Sequence, residues 1–223
     1  MNMARWDVLA LGLTAVVGLG GLYRYDRERY RRRRAELFAD CLPLFERYRV
    51  IQEGVGFPVL EGNFQGFAVR LEPVLDTIAM RKLPSLWLLA TVLAPLPYGG
   101  VLDILMRPQN IEFYSPSERL DHSLKTPPGW PTHAAIRSDD PEHMPPYERL
   151  EPHLRLFDDP RVKELLITPR GVRIVYQVWQ GERAYYLVLR QAEFHASRIE
   201  PDIVRGLLEQ AIAIHRSLAH APA

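Results

Sequence analysis

The chain has a single cysteine, Cys41, in 223 residues, so it cannot form an internal disulfide and suits a reducing compartment better than a secreted disulfide scaffold. An excess of one charge is also missing. With 28 Lys and Arg against 27 Asp and Glu the net charge is +1, which excludes a chain-wide nucleic-acid-binding surface. The sequence contains no G-x-S-x-G, Walker loop, H-E-x-x-H, C-x-x-C or EF-hand loop. Its densest glycine cluster, Gly18-Leu19-Gly20-Gly21, lacks the preceding strand that a dinucleotide site needs. At 47% hydrophobic and 25% charged, the composition is that of an ordinary globular chain, neither disordered nor polytopic.

What is there is distributed unevenly. Residues 8–22 carry no charge and one polar side chain, Thr14, and are bracketed by Trp6 and Tyr23. A helix from Trp6 to Tyr23 rises roughly 27 Å, close to the thickness of a thin hydrocarbon core. The expectation is a transmembrane anchor over residues 1–23, with Trp6 and Tyr23 at its interfaces. The alternative is a buried helix of a soluble protein, which four glycines in fifteen residues disfavour.

Arg24, Arg27, Arg29, Arg31, Arg32, Arg33 and Arg34 follow at once, with Asp26 and Glu28 between them, for a local charge of +5. Only Arg5 precedes the apolar stretch, so the arginine balance predicts a single-pass inner-membrane protein with its N-terminus outside and its C-terminal domain cytoplasmic. A cleaved signal peptide has the opposite order of charge and apolar segment. Residues 1–23 sum to zero, so a total of +1 leaves −4 on residues 35–223, an acidic body beneath a basic collar at the lipid headgroups. No basic fold motif or stacking platform supports a nucleic-acid partner. Ala10, Thr14, Gly18 and Gly21 fall on one helical face, where small residues allow close helix pairing with a second copy or another membrane protein.

Residues 24–50 read as a basic juxtamembrane helix, with Tyr30, Leu37, Cys41, Leu44 and Tyr48 at helical spacing and a kink at Pro43. Cys41 lies on its apolar side and reads as core. Residues 51–223 read as one cytoplasmic α+β domain, an antiparallel sheet in two groups of hairpins with helices packed on one face. Residues 57–62 and 65–74 form an expected hairpin turning at Asn63, and 86–94 a central strand, with a short buried helix as the alternative. The stretches 101–108 and 110–114 are further strand candidates. Eight prolines within 115–152 mark loops and short helices, interrupted by a strand at 133–138. Asp159-Pro160 reads as a helix start, 171–179 and 183–190 as strands of a meander, and 201–218 as an amphipathic helix with Ile203, Leu207, Ala211, Ile214 and Leu218 on one side.

The densest constellation is Asp139, Asp140, Glu142 and His143, with His133 and His153 ten residues to either side. Carboxylates and imidazole together can hold a divalent cation or move protons. The competing reading, Asp140-Pro141 as the start of a helix, accounts for the same residues. His195 and His215 have no recognisable triad partner. Tyr176, Trp179, Tyr185 and Tyr186 could mark a ligand groove, although cross-strand pairing explains them equally well. No metal, cofactor or catalytic residue is assigned.

The segments Leu60-Glu61-Gly62-Asn63-Phe64-Gln65-Gly66 and Arg137-Ser138-Asp139-Asp140-Pro141 resemble those of uncharacterised bacterial single-pass membrane proteins with a cytoplasmic α+β domain. That resemblance implies the architecture just described and no activity. The expected function is a membrane-anchored interaction or scaffold domain without catalytic activity, whose partners are the lipid bilayer and a protein. The alternative is a membrane-tethered enzyme or a lipid- or small-molecule-binding domain.

Overall fold

The structure, a computed structural model, describes residues 3–76, 83–108, 112–181, 194 and 197–219. For residues 3–13 and 15 it gives the course of the helix only. Helix α1 (Met3–Ala35) is followed by a 3-10 segment (Glu36–Leu44) and by strands β1 (Arg47–Ile51), β2 (Val59–Phe64), β3 (Phe67–Asp76), β4 (Ser85–Val92) and β5 (Leu102–Met106). Then come β6 (His122–Leu124), β7 (Ala134–Ser138), two 3-10 segments within 147–158, β8 (Val162–Thr168), β9 (Gly171–Gln180) and helix α2 (Pro201–Ala219).

The nine strands form one antiparallel sheet in the order β1-β2-β3-β4-β9-β8-β5-β7-β6, not two separate groups of hairpins. Its first face is apolar across its width. The register aligns Leu60, Leu71, Ala90, Ile174, Leu165, Ile104 and Ile136 in one transverse row, every member buried. Helix α2 covers that face with Val204, Leu207, Leu208, Ala211, Ile212, Ile214 and Leu218; Leu207, Ala211, Ile214 and Leu218 belong to the stripe its spacing predicts, and Ile203 is half-buried at the margin. Leu37, Phe38 and Cys41 extend this core, and the Cys41 thiol donates to the Ile199 carbonyl at 3.3 Å. Burial raises that thiol to about 11, so it is an inert core group.

Turn chemistry fixes the register. Gln65 and Gly66 both have positive φ, +49 and +79, the signature of a two-residue hairpin loop that matches strand twist. The turn thus lies two residues beyond Asn63, which is paired with Ala68 inside the ladder. The β8–β9 turn is equally tight. Gly171, at φ +147, lies so close to the Val92 carbonyl oxygen that a Cβ would collide with it.

Several expectations need correction. The transmembrane anchor over 1–23 is overturned, because no helix among the described residues is long and apolar enough to cross a membrane. The helix that carries the apolar segment continues without a break through the arginine block to Ala35. The single-pass topology, with an outer N-terminus, falls with it. Residues 45–50 are not helical: the 3-10 segment ends at Leu44 and β1 follows. Asp159-Pro160 opens no helix, because the Asp159 carboxylate accepts the Arg161 N–H in a turn that leads into β8. Residues 112–114 form a turn, not a strand, and 183–190 lie outside the described residues.

Candidate functional site on the second face of the sheet

Reversing every side chain in the apolar row gives the opposite face, and there the same register produces a polar row. Glu61, Arg70, Thr91, Arg173, Leu166, Asp103 and Arg137 are consecutive cross-strand neighbours over seven strands. Because the side-chain period of a strand is two, this follows directly from alternation along β2, β3, β4, β9, β8, β5 and β7. Most of the row is internally paired. Arg70 bridges Glu61 at 2.6 Å and Glu72 at 3.2 Å, and Arg137 donates to the Ser117 and Leu120 carbonyls at 3.4 Å.

At the end of this face where β4, β8 and β9 meet the 99–101 turn lies a cavity of about 540 Å³, lined by Thr91, Leu93, Gly99, Val101, Asp139, Leu166, the 168–171 hairpin tip and Arg173. Its size is that of a small-molecule pocket. Arg170 sits exposed on the two-residue turn, and Arg173 half-buried on the central strand β9. The Arg173 Nε donates to the Thr91 hydroxyl at 3.4 Å, and among the described residues neither guanidinium has a carboxylate within salt-bridge distance. The lining carboxylate, Asp139, accepts the Val101 N–H at 2.6 Å. Among the described residues no histidine, cysteine or serine lines the cavity.

Beside it, Asp103 on β5 and Glu164 on β8 are fully buried, one diagonal step apart on the same face. Residues 112–120 cross over them as a strap. The strap is held by a Lys163–Glu112 ion pair of 3.0 Å and by the Arg137 contacts, and Lys163 also donates to the Arg107 carbonyl at 2.6 Å. The carboxyl oxygens of both acids, the Tyr114 hydroxyl and the Trp87 indole nitrogen are buried without a hydrogen bond of good geometry. The Ser117 and Ser115 hydroxyls lie near enough to act on Asp103 and Glu164 respectively. Burial pushes Asp103 up to about 6, and burial together with the Asp103 charge raises Glu164 well above the usual carboxylate range. Two carboxyls this close in a buried site titrate as a pair, the charge on each favouring the neutral form of the other. Burial also raises the Tyr114 phenol, which stacks against Trp87 with ring centres 5.4 Å apart.

The residues singled out by sequence are only partly brought together. Asp139 enters the cavity. Asp140 instead binds His143, Oδ2 to Nδ1 at 2.7 Å, and accepts the Glu142 and His143 backbone N–H groups, as a helix-starting aspartate would, although the segment ends in a turn. Among the described residues no cluster of three metal-ligating side chains forms. His153 binds the Ser217 hydroxyl at 2.7 Å, His215 binds the Pro95 carbonyl at 3.1 Å, and His195 lies outside the described residues. Tyr176 faces the first side and donates to Asp159 at 3.1 Å, Trp179 packs against Phe194, and Tyr185 and Tyr186 are not described.

On α1, a Cβ added at Gly18 or Gly21 would meet nothing within 4 Å, and the side chains of Trp6 and Ala10 are not described. Thr14 is exposed on the same helix. Arg31 and Arg32 pair with Glu28, and Arg34 donates to the Val55 carbonyl at 2.7 Å while stacking on Phe57. Tyr23, Arg27 and Arg34 frame a groove against Val55, and Arg29 and Arg33 flank Tyr30 on a second, smaller one. Arg24 is exposed.

No family model and no curated protein matches the chain, so the resemblance noted from its motifs stays an expectation. Among solved structures it is similar to the mycobacterial trehalose monomycolate transport factor A, TtfA, at 12% identity over 74% of this chain and 75% of that one, with a TM-score of 0.39. A likeness that distant says nothing of what this chain binds.

Proposed function

We propose that this protein is a non-catalytic binding domain whose ligand seats in the cavity at the β4–β9–β8 end of the second face. One observation carries the reading: a cavity of about 540 Å³ gathers two guanidinium groups without ion-pair partners and two threonines, Thr91 and Thr168, but no nucleophile beside a base. Polar groups that fix orientation over an otherwise apolar lining are what a binding pocket needs, whereas acyl transfer or hydrolysis needs a nucleophile within hydrogen-bond reach of a base.

The test is a backbone amide NMR titration of the full chain with a panel of small acids, alcohols, amines and sugars. Ligands of this domain move the resonances of Thr91, Leu93, Val101, Thr168, Arg170 and Arg173 as a group. A panel that moves none of them ends the proposal.

The interaction-domain reading retains one support of its own. Strand β1 ends the sheet, its outer edge pairs with no described strand, and Tyr48 and Val50 on it are exposed, which suits a partner that adds a strand. Proline placed at Val50 should abolish capture of such a partner and leave the cavity titration unchanged.

A further inference from the structure

Resting on the cavity reading above, we infer that the ligand carries a terminal anionic group, a carboxylate or a phosphomonoester, held by Arg170 and Arg173, with a short apolar body lying on Leu93, Val101 and Pro169.

The contrast within the transverse row supports this. Arg70 has two carboxylate partners and Arg137 two carbonyls, whereas Arg173 has one long bond to the Thr91 hydroxyl and none to a carboxylate among the described residues. A guanidinium offers five N–H donors in a fixed plane, so four of those on Arg173 remain to be used. A half-buried guanidinium on a central strand gives up part of its hydration, and an oxyanion is the group that best restores it, through two parallel N–H···O bonds.

Arg170 approaches the same space from the hairpin tip, where the Thr168 hydroxyl accepts its backbone N–H at 3.2 Å and helps shape the turn. The tip itself is fixed by Gly171, whose backbone packs directly on the Val92 carbonyl. Asp139, whose Oδ1 accepts the Val101 N–H, sets one negative charge in the lining against the two guanidinium groups. Beyond the lining, Glu164 beneath the strap is near enough for the Arg173 charge to act on it, but burial and the Asp103 charge hold its carboxyl well above the usual carboxylate range. Two guanidinium groups against one carboxylate leave the lining with an excess of one positive charge. A cationic ligand would meet two like charges there, and a neutral one would leave both guanidinium groups unanswered.

The experiment is calorimetric titration of the full chain at fixed ionic strength with n-hexyl phosphate, hexanoate, 1-hexanol and hexylamine, in the unaltered protein and in Arg170→Gln, Arg173→Gln and Arg173→Lys. At least one of the two anions should bind about tenfold or more tightly than hexanol, with no measurable binding of the amine. Arg170→Gln and Arg173→Gln should each weaken the anion about tenfold while leaving hexanol unchanged, and Arg173→Lys should restore part of the loss. Preference for the phosphate or for the carboxylate identifies the source of the anion. Arg170 lies on an exposed turn, so its variant folds and stays informative whatever happens at Arg173. Hexanol binding as tightly as both anions would overturn the inference while leaving the cavity reading intact. Silence from all four probes, when a neutral ligand of the NMR panel does move the cavity resonances, would do the same; silence from every ligand would remove both.

Discussion

The two faces of the sheet come from the same strands and the same register, yet they solve different problems. On the first, Leu60, Leu71, Ala90, Ile174, Leu165, Ile104 and Ile136 meet helix α2 in an all-apolar row, with unsatisfied polar atoms among the described residues confined to its margins at His215 Nδ1 and Trp130 Nε1. On the second, one residue out of phase, Arg70, Arg173, Asp103, Glu164 and Arg137 are half-buried or buried, and among the described residues the carboxyl oxygens of Asp103 and Glu164 have no hydrogen bond of good geometry. Buried polar groups without partners cost free energy. Stability therefore resides on the first face, while the second carries strain of the kind that binding sites tolerate.

The comparison can be broken most severely from the first face. Leu88→Ala, at a fully buried position of β4, should lose roughly 2–5 kcal/mol in urea unfolding, through lost transfer energy and the cavity left behind. A loss of well under 1 kcal/mol would mean that the α2 side is not the core. Next comes the clamp on the strap. Lys163→Met removes the pair with Glu112 and the bond to the Arg107 carbonyl, and should cost about 3 kcal/mol while raising hydrogen exchange in residues 112–120 before the rest of the sheet.

Substituting an acid on the second face should do the opposite. A carboxyl whose folded pKa is raised contributes stability below its unfolded pKa and loses it as pH rises through the folded one, so Glu164 burdens the fold increasingly above about pH 4. Glu164→Gln does not titrate. Its stability relative to the unaltered protein should be least favourable at pH 4 and shift steadily in favour of the variant as pH rises to 8, as read from paired urea midpoints. A variant less stable at pH 8 would show that the charged form is held by contacts stronger than burial.

The smallest effect belongs to the connection shared by both faces. Gly66→Ala places a methyl group in open space but at φ +79, and should cost about 1 kcal/mol through backbone conformation alone.

Alternation made much of this legible. Strands expected at 57–62, 65–74, 86–94, 133–138 and 171–179 are found at 59–64, 67–76, 85–92, 134–138 and 171–180, so period-two patterning carries their existence while the first hairpin is displaced by two residues. The single sheet did not follow, since β9 joins β4 across some eighty residues and pairing at that distance leaves no local mark. The second-face row is legible only once the register is known: Arg70, Thr91, Arg173, Asp103 and Arg137 each look like an ordinary outward residue of its own strand. The acidic loop at 139–143 drew attention because its charges adjoin in sequence, yet only Asp139 reaches the cavity, and Asp140 and His143 satisfy each other. For Arg170 the available signal was its place in a two-residue turn between two apolar strands. The N-terminal segment misled for a different reason: its apolar composition resembled a span, but the helix it belongs to runs on through seven arginines, and no described helix reaches the length and apolarity that a crossing demands.

The central claim is that the second face is built for a ligand and the first for stability, and Arg173 is where the two accounts diverge most. Urea unfolding of Arg173→Gln beside the unaltered protein, without ligand at pH 7, should give free energies within about 1 kcal/mol of each other, because the residue forgoes only a 3.4 Å bond to Thr91. A loss of about 3 kcal/mol or more would contradict the account, since it would make Arg173 part of what holds the sheet together.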